Sequence, residues 1–537
     1  MTTPKPDSEA AGGLDRPVGR WGAAAVAAVV LAAPAWLMAD ELRYFTLAGD
    51  DFDYVAGALD GPTLRANLFR PHNTHVVPVF RLWTYALVAL AGRRENFPVV
   101  FLAASYLGLA ATMLLVGRLA ALEGRRAAVG LAAMAVLGVS TVVRPAVSWY
   151  SAGQALWAGA AVVATLLLTR EWSEKGGAWR LGLVVAAAAA APAVWSGGLI
   201  AGPAAIAYLY AKGPSRSRRP AFVLAAVSAG AVLAVTLLSR RQIAENSLVW
   251  ERHPELWPRP VQSVFHAAQA VAEALVLGNL GLDAATTHWQ AAVMVLALAG
   301  LWAWSRGGRR RAAPLEAAGA TVVVGSYLLV YAFRGNLPWG SLRPINWYHA
   351  VPQVGAALFV AGWWSALRPA DPGGPSRLTR RQALLVLGLV VVLCVVEAPR
   401  AERELLAAAP PLTVSEGKRF RTPALRRLRA VYFKSEVQSR QIRALARLDE
   451  ADRVAARLGA GPSALRRVFG RVLVPGIPEN QAGTDAFSLL HPPPDDPRAP
   501  DDPARLRAAL AALLRPEPVP RPPWLARGEL WPPETAP

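Results

Sequence analysis

The chain has 537 residues, 54% of them hydrophobic, a mean hydropathy of +0.28 and a formal net charge of +20. Its apolar residues fall in blocks near the roughly 20 residues that cross a bilayer, which excludes a water-soluble globular domain and predicts a multi-span membrane protein. The charge excess does not require nucleic acid as a partner, because Arg and Lys collect on the cytoplasmic side of such proteins, and the single cysteine, Cys394, excludes an intrachain disulfide.

Lys5, Arg16 and Arg20 precede the first apolar run, 21–38. That run reads as a retained anchor rather than a cleaved signal, because many spans follow it. The next apolar run, "VVPVFRLWTYALVALA" at 76–91, decides the topology. Counted as a span, it would turn the basic loops "GRLAALEGRR", "TREWSEKGGAWR", "AKGPSRSRRP", "SRGGRRR" and "RPADPGGPSRLTRR" outward, against the positive-inside bias. With Pro78 and Arg81 inside it, the run reads instead as a juxtamembrane helix lying in the outer interface.

The expected architecture is an all-α polytopic membrane protein with eleven spans, near 21–38, 97–117, 127–143, 154–169, 181–196, 198–211, 220–238, 289–304, 317–333, 350–367 and 382–397. Pro203 makes 198–211 a candidate for a tilted or broken span. The N-terminus lies inside, the main outer loops are 39–96, 144–153, 239–288 and 334–349, and all seven histidines fall outside. In 239–288, Gln262, His266, Gln269 and Glu273 recur at spacings of three and four, which predicts an amphipathic surface helix.

The expected divisions are a cytoplasmic tail at 1–20, a membrane domain at 21–397, a helical region at 398–490 and a Pro-rich tail at 491–537. The helical region shows periodic Arg, Ala and Leu. The tail reads as extended or disordered, apart from a short helix near 503–514. Basic helices here lack any nucleic-acid recognition motif.

The first outer loop carries two polar clusters. "FTLAGDDFDYV" sets Asp50, Asp51 and Asp53 just past the first span; carboxylates so close repel one another, which raises a pKa or calls for a cation. "FRPHNTHVVP" adds Arg70, His72, Asn73 and His75. Asp and His together suit a divalent metal chemically. Their spacing is not a metal signature, and no metal or other cofactor is expected to be required.

This layout resembles the GT-C superfamily of polytopic glycosyltransferases. "GDDFDYV" is similar to the acidic pair of their first outer loop, and "RPHNTHVVPVFRL" to an "HNEHR…PRL" stretch of a bacterial subgroup. It departs from that pattern at Thr74, where Glu is usual, and at Val76, where Arg is usual. "VWSGGLIAGPAA" resembles the subgroup's small-residue turn, and the likeness in layout covers about 21–397.

The resemblance implies transfer of a sugar from a polyprenyl-phosphate donor to a glycan, lipid or protein acceptor at the outer face of the bacterial cytoplasmic membrane. Asp50 or Asp51 would be the base that takes the acceptor proton. Asp53, Arg70, His72, His75 and His349 are candidate substrate contacts. Arg334 and Arg343 are candidate clamps for the donor phosphate, with Arg81, Arg240 and Arg241 as lesser candidates. Snorkelling to the interface is the competing role for each arginine.

Trp149, Tyr150, Trp250, Trp257, Trp339, Trp347 and Tyr348 fit either sugar stacking or an interfacial aromatic belt, and Gln154 is a further candidate polar contact. The alternatives are a transporter or flippase of lipid-linked solutes and a non-catalytic envelope scaffold. A transporter should show midplane charges and repeated halves, and neither is visible.

Overall fold

The computed structural model describes residues 14–47, 50–59, 64–71, 75–213, 218–252, 260–282, 284–306, 313–334, 346–367, 377–407 and 422–431, with five further residues between 434 and 442. Among them the chain is helical, with an isolated bridge between Pro17 and Thr379. The expectations for Lys5, for residues 443–490 and for the Pro-rich tail lie outside the described residues.

Among the described residues, seven helices are long and apolar enough to cross a membrane: Arg20–Leu37, Arg94–Gly124, Ser151–Lys175, Arg219–Ser239, Pro314–Tyr331, Trp347–Leu367 and Arg380–Leu406. Ala127–Val139 and Thr141–Ser148 form a further pair bent by 55°. The remaining expected spans lie on helices Ala178–Ala190, Ala201–Lys212 and His288–Ser305. The protein is therefore an all-α, multi-pass membrane protein. The run at 76–91 is a separate 14-residue helix, Pro78–Ala91, ended by Gly92 at φ +64°, a conformation that favours glycine.

The chain divides into two compact units. The first comprises Met1–Met38, Arg65–Leu82 and Ala104–Ala401. Its innermost span is Ser151–Lys175, 72% buried, whereas Arg219–Ser239 is only 17% buried. Leu233, Trp289, Leu296, Leu385 and Val395 point outward, as apolar side chains in hydrocarbon should.

The closest helix pair in this unit is Pro314–Arg334 against Ala350–Leu367. A Cβ on Gly319 would stand 2.5 Å from the Gly355 carbonyl oxygen, and one on Gly355 would stand 2.7 Å from that of Gly319. Small residues let membrane helices approach backbone to backbone in this way.

Polar groups gather at the helix ends. Arg170 Nε lies 2.7 Å from Glu123, which also accepts from the Tyr208 hydroxyl at 2.7 Å. Lys212 joins Glu123 at 3.6 Å and Glu174 at 3.2 Å. Trp363 Nε1 donates to the Ser305 hydroxyl at 2.8 Å, and Arg306 pairs with buried Glu316 at 3.4 Å. The segment before the first span is held by the segment before the last: Val18 N donates to Leu378 O at 2.7 Å, and Arg380 N to Arg16 O at 3.1 Å.

The region around 262–273 differs from the expected surface helix. It is an α-helix, Pro260–Ala270, followed by a π-helical turn, Val271–Leu277. Gln262 is exposed, but Gln269 and Glu273 are buried. Gln269 Nε2 donates to Thr286 O at 2.8 Å. Glu273 accepts from Thr286 N at 2.6 Å and from its hydroxyl at 2.8 Å. Part of the polar stripe thus turns inward to satisfy a neighbouring loop.

The second unit comprises Ala39–Leu64, Trp83–Ala103 and Glu402–Pro537. Helix Ala39–Arg43 leads through buried Phe45 and Leu47 to helix Asp51–Leu59. The Tyr85 hydroxyl donates to Gly57 O at 3.0 Å. Beyond the last span, a helix over 423–431 carries Arg427, whose Nη2 lies 2.7 Å from Asp40. Lys434 lies 3.6 Å from Glu41, and Gln438 Nε2 donates to Arg43 O at 3.1 Å and Phe45 O at 3.0 Å.

Candidate functional site

In the second unit, Asp51 opens helix Asp51–Leu59 and is fully buried. The positive end of a helix favours a carboxylate there. Asp50 stands one residue earlier and is half-buried, with its carbonyl accepting from Tyr54 N at 3.3 Å. Of these two acids, Asp50 is the more accessible. The Asp53 side chain lies outside the described residues.

In the first unit, two expected residues, His75 and Tyr348, meet on one pocket. It is lined by His75, Trp195, Ser196, Gly197, Ser326, Leu329, Val330, Tyr348 and Val351, and is a small, partly open cavity of about 20 Å³. His75 is buried, and its Nδ1 lies 2.8 Å from the Ser196 hydroxyl. The "WSGG" turn presents that hydroxyl. A Cβ at Gly198 would stand 2.2 Å from Ala191 O, so only glycine lets the turn close on the end of the preceding helix.

Aromatic rings continue from the pocket wall. His75 and Trp195 lie 5.9 Å apart, Trp195 and Tyr348 5.9 Å, Tyr348 and Trp347 5.6 Å, and Trp347 and Trp149 4.5 Å edge-on. Opposite them, Ser326 is 4% exposed and its hydroxyl has no protein partner among the described residues. A buried hydroxyl without a partner is costly. The pocket thus offers an imidazole and two hydroxyls beside broad aromatic faces. That chemistry suits the edge and face of a hydroxylated ring.

Other expected contacts do not line this pocket. His349 is buried and its Nδ1 lies 2.9 Å from the Tyr327 hydroxyl. Arg81 is 1% exposed and donates to Asn67 Oδ1 at 3.0 Å, so it does not snorkel. Arg70 is exposed. Gln154 is buried, with no protein partner for its Oε1 among the described residues.

His72, Trp257, Trp339 and Arg343 lie outside the described residues, as do the side chains of Arg240, Arg241, Trp250 and Arg334. Among the described residues, no three His, Cys, Asp or Glu side chains come together as metal ligands do.

Sequence reasoning missed Ser196 and Ser326 as individual residues. The first sits in a motif noted only for its glycines. The second is a single hydroxyl in an apolar run, "TVVVGSYLLV", where Ser is commonly satisfied by its own helix. No family model, curated protein or solved structure matches the chain.

Proposed function

We propose that this protein is a membrane glycosyltransferase of the kind the GT-C resemblance implies. It moves a sugar from a polyprenyl-phosphate donor to an acceptor hydroxyl at the outer face of a bacterial cytoplasmic membrane. The observation that carries the reading is the hydroxyl-lined, aromatic-walled pocket around His75, Ser196 and Ser326.

The acceptor oxygen attacks the anomeric carbon as the bond from that carbon to the phosphate oxygen breaks. Polyprenyl phosphate leaves with the bonding electrons, and the acceptor proton passes to Asp50 or Asp51. Asp50 is the preferred base, because a fully buried Asp51 has less access to a substrate. Arg334 and Arg343 are the proposed clamps on the leaving phosphate.

We also propose eleven spans with the N-terminus inside. Helix ends that touch lie on one side of the membrane, so the chain between them crosses an even number of times. Glu123 meets Arg170, which counts the bent pair as a span together with Ser151–Lys175. Glu174 meets Lys212, so helices Ala178–Ala190 and Ala201–Lys212 cross as a pair.

His266 meets Tyr331, and Ser305 meets Trp363. Helix His288–Ser305 therefore joins opposite sides. The contact of Arg427 with Asp40 supports reading Pro78–Ala91 as a helix of the outer interface, as does the basic-loop distribution.

The test is Asp50→Asn and Asp51→Asn, each compared with wild type for the cell's glycan profile at matched protein level. Loss of one glycan in at least one variant is expected. Profiles unchanged in both would sink the enzyme reading. A reporter fused after residue 126 tests the orientation, with a cytoplasmic signal expected.

A further inference from the structure

We propose that the segment following the last span is a clamp on the first outer loop, holding that loop in the shape in which it presents Asp50 and Asp51. The mechanical part of this inference stands on contacts alone; its catalytic part rests on the glycosyltransferase reading.

Three side chains of the segment reach the loop: Arg427 to Asp40, Lys434 to Glu41, and Gln438 to the carbonyls of Arg43 and Phe45. Their spacings of seven and four residues are those of residues that share a helical face. Their targets run in chain order along Ala39–Arg43 and just past it.

The contact at Gln438 is the most telling. A helix leaves its last carbonyls without partners of its own, and here the amide of a residue far downstream supplies the donors. Glu41 is only 8% exposed, so Lys434 answers a charge that burial alone would disfavour. Phe45 and Leu47, both buried, carry the fixed chain on to Asp50 and the start of the next helix. A tail without mechanical purpose would have no reason to cap this helix end and neutralise both its acids.

The experiment uses the full-length protein in detergent, in a Cys394→Ala background. Asp40→Cys combined with Arg427→Cys should cross-link within one chain through a short bismaleimide, and neither single substitution should. Absence of that cross-link overturns the clamp.

Lys434→Glu should speed tryptic cleavage after Arg43 and Arg70 about three- to tenfold, the scale of losing one partly buried pair. Adding Glu41→Lys should restore the rate to within about twofold. Unchanged cleavage, or no restoration, also overturns the clamp. Gln438→Ala should lower product formation at unchanged protein level, with the larger effect on kcat.

If Asp50→Asn leaves product unaltered, the enzyme reading fails while cross-linking and proteolysis still decide the clamp. If Asp50→Asn abolishes product and Gln438→Ala leaves it at the wild-type rate, the positioning role fails alone.

Discussion

Nδ1 of His75 lies 2.8 Å from the hydroxyl of Ser196, a residue 121 positions further along the chain. This pair joins the juxtamembrane segment of the first loop to the glycine turn between two short helices. It also supplies polar atoms on a pocket walled largely by rings and aliphatic groups.

Ser196 and Ser326 should respond differently to the same substitution. Ser196→Ala removes a formed hydrogen bond and is expected to cost about 1 kcal/mol of stability. The Ser326 hydroxyl has no protein partner among the described residues, so Ser326→Ala should change stability by no more than about 0.5 kcal/mol while weakening substrate use. Thermal unfolding in detergent together with product yield separates the two. Equal destabilisation by both would contradict the assignment of Ser326 to a ligand.

The Gly319–Gly355 contact leaves no room for a side chain. Gly355→Leu is predicted to destabilise the protein by about 1–3 kcal/mol through overpacking. A Cβ on Gly230 would meet nothing within 4 Å, so Gly230→Leu, on the lipid-facing Arg219–Ser239 span, should be nearly neutral. Unfolding midpoints of the two variants give the comparison.

Acid should weaken the region around His266. Burial holds this imidazole below its ordinary pKa, and nearby His288 pushes the same way, against the hydrogen bond the imidazole donates to Gln269 Oε1. The folded state therefore binds this proton less readily than the unfolded chain does. The associated stability is fully present above the unfolded pKa near 6.5 and declines as pH falls toward and through the lower folded value. His266→Gln should flatten part of the fall in unfolding midpoint between about pH 7.5 and 5. An identical acid profile in wild type and variant would refute the role.

Glu273 holds Thr286 by both its amide and its hydroxyl. Glu273→Ala should leave those groups unsatisfied at a cost of about 1–3 kcal/mol. Hydrogen exchange at the Thr286 amide should then quicken at least about tenfold. Protection unchanged from wild type would show that the carboxylate is dispensable there.

The helices were legible in the sequence because long Ala, Val and Leu runs leave few other ways to satisfy backbone groups in a bilayer. The break at Pro78 and the separateness of the 76–91 run were legible from proline and from loop charge. The stripe from Gln262 to Glu273 was misread in part, because spacing reveals a shared face but not whether water or Thr286 lies opposite it.

The pocket was legible only at His75 and Tyr348. Ser326 and Trp195 enter it through tertiary packing between segments more than a hundred residues apart, and local pattern carries no trace of that. Arg81 likewise reads as an interfacial cation in sequence, because nothing local points to its partner Asn67.

The short pairing of Pro17 with Thr379 has a consequence for biogenesis. Helix Arg20–Leu37 finds this brace only when helix Arg380–Ala407 is about to be made. Until then the nascent chain is an unlatched ring of segments in the translocon's vicinity. A message cut short before Thr379 would yield a protein that inserts yet never latches, and cellular proteases can recognise such a product.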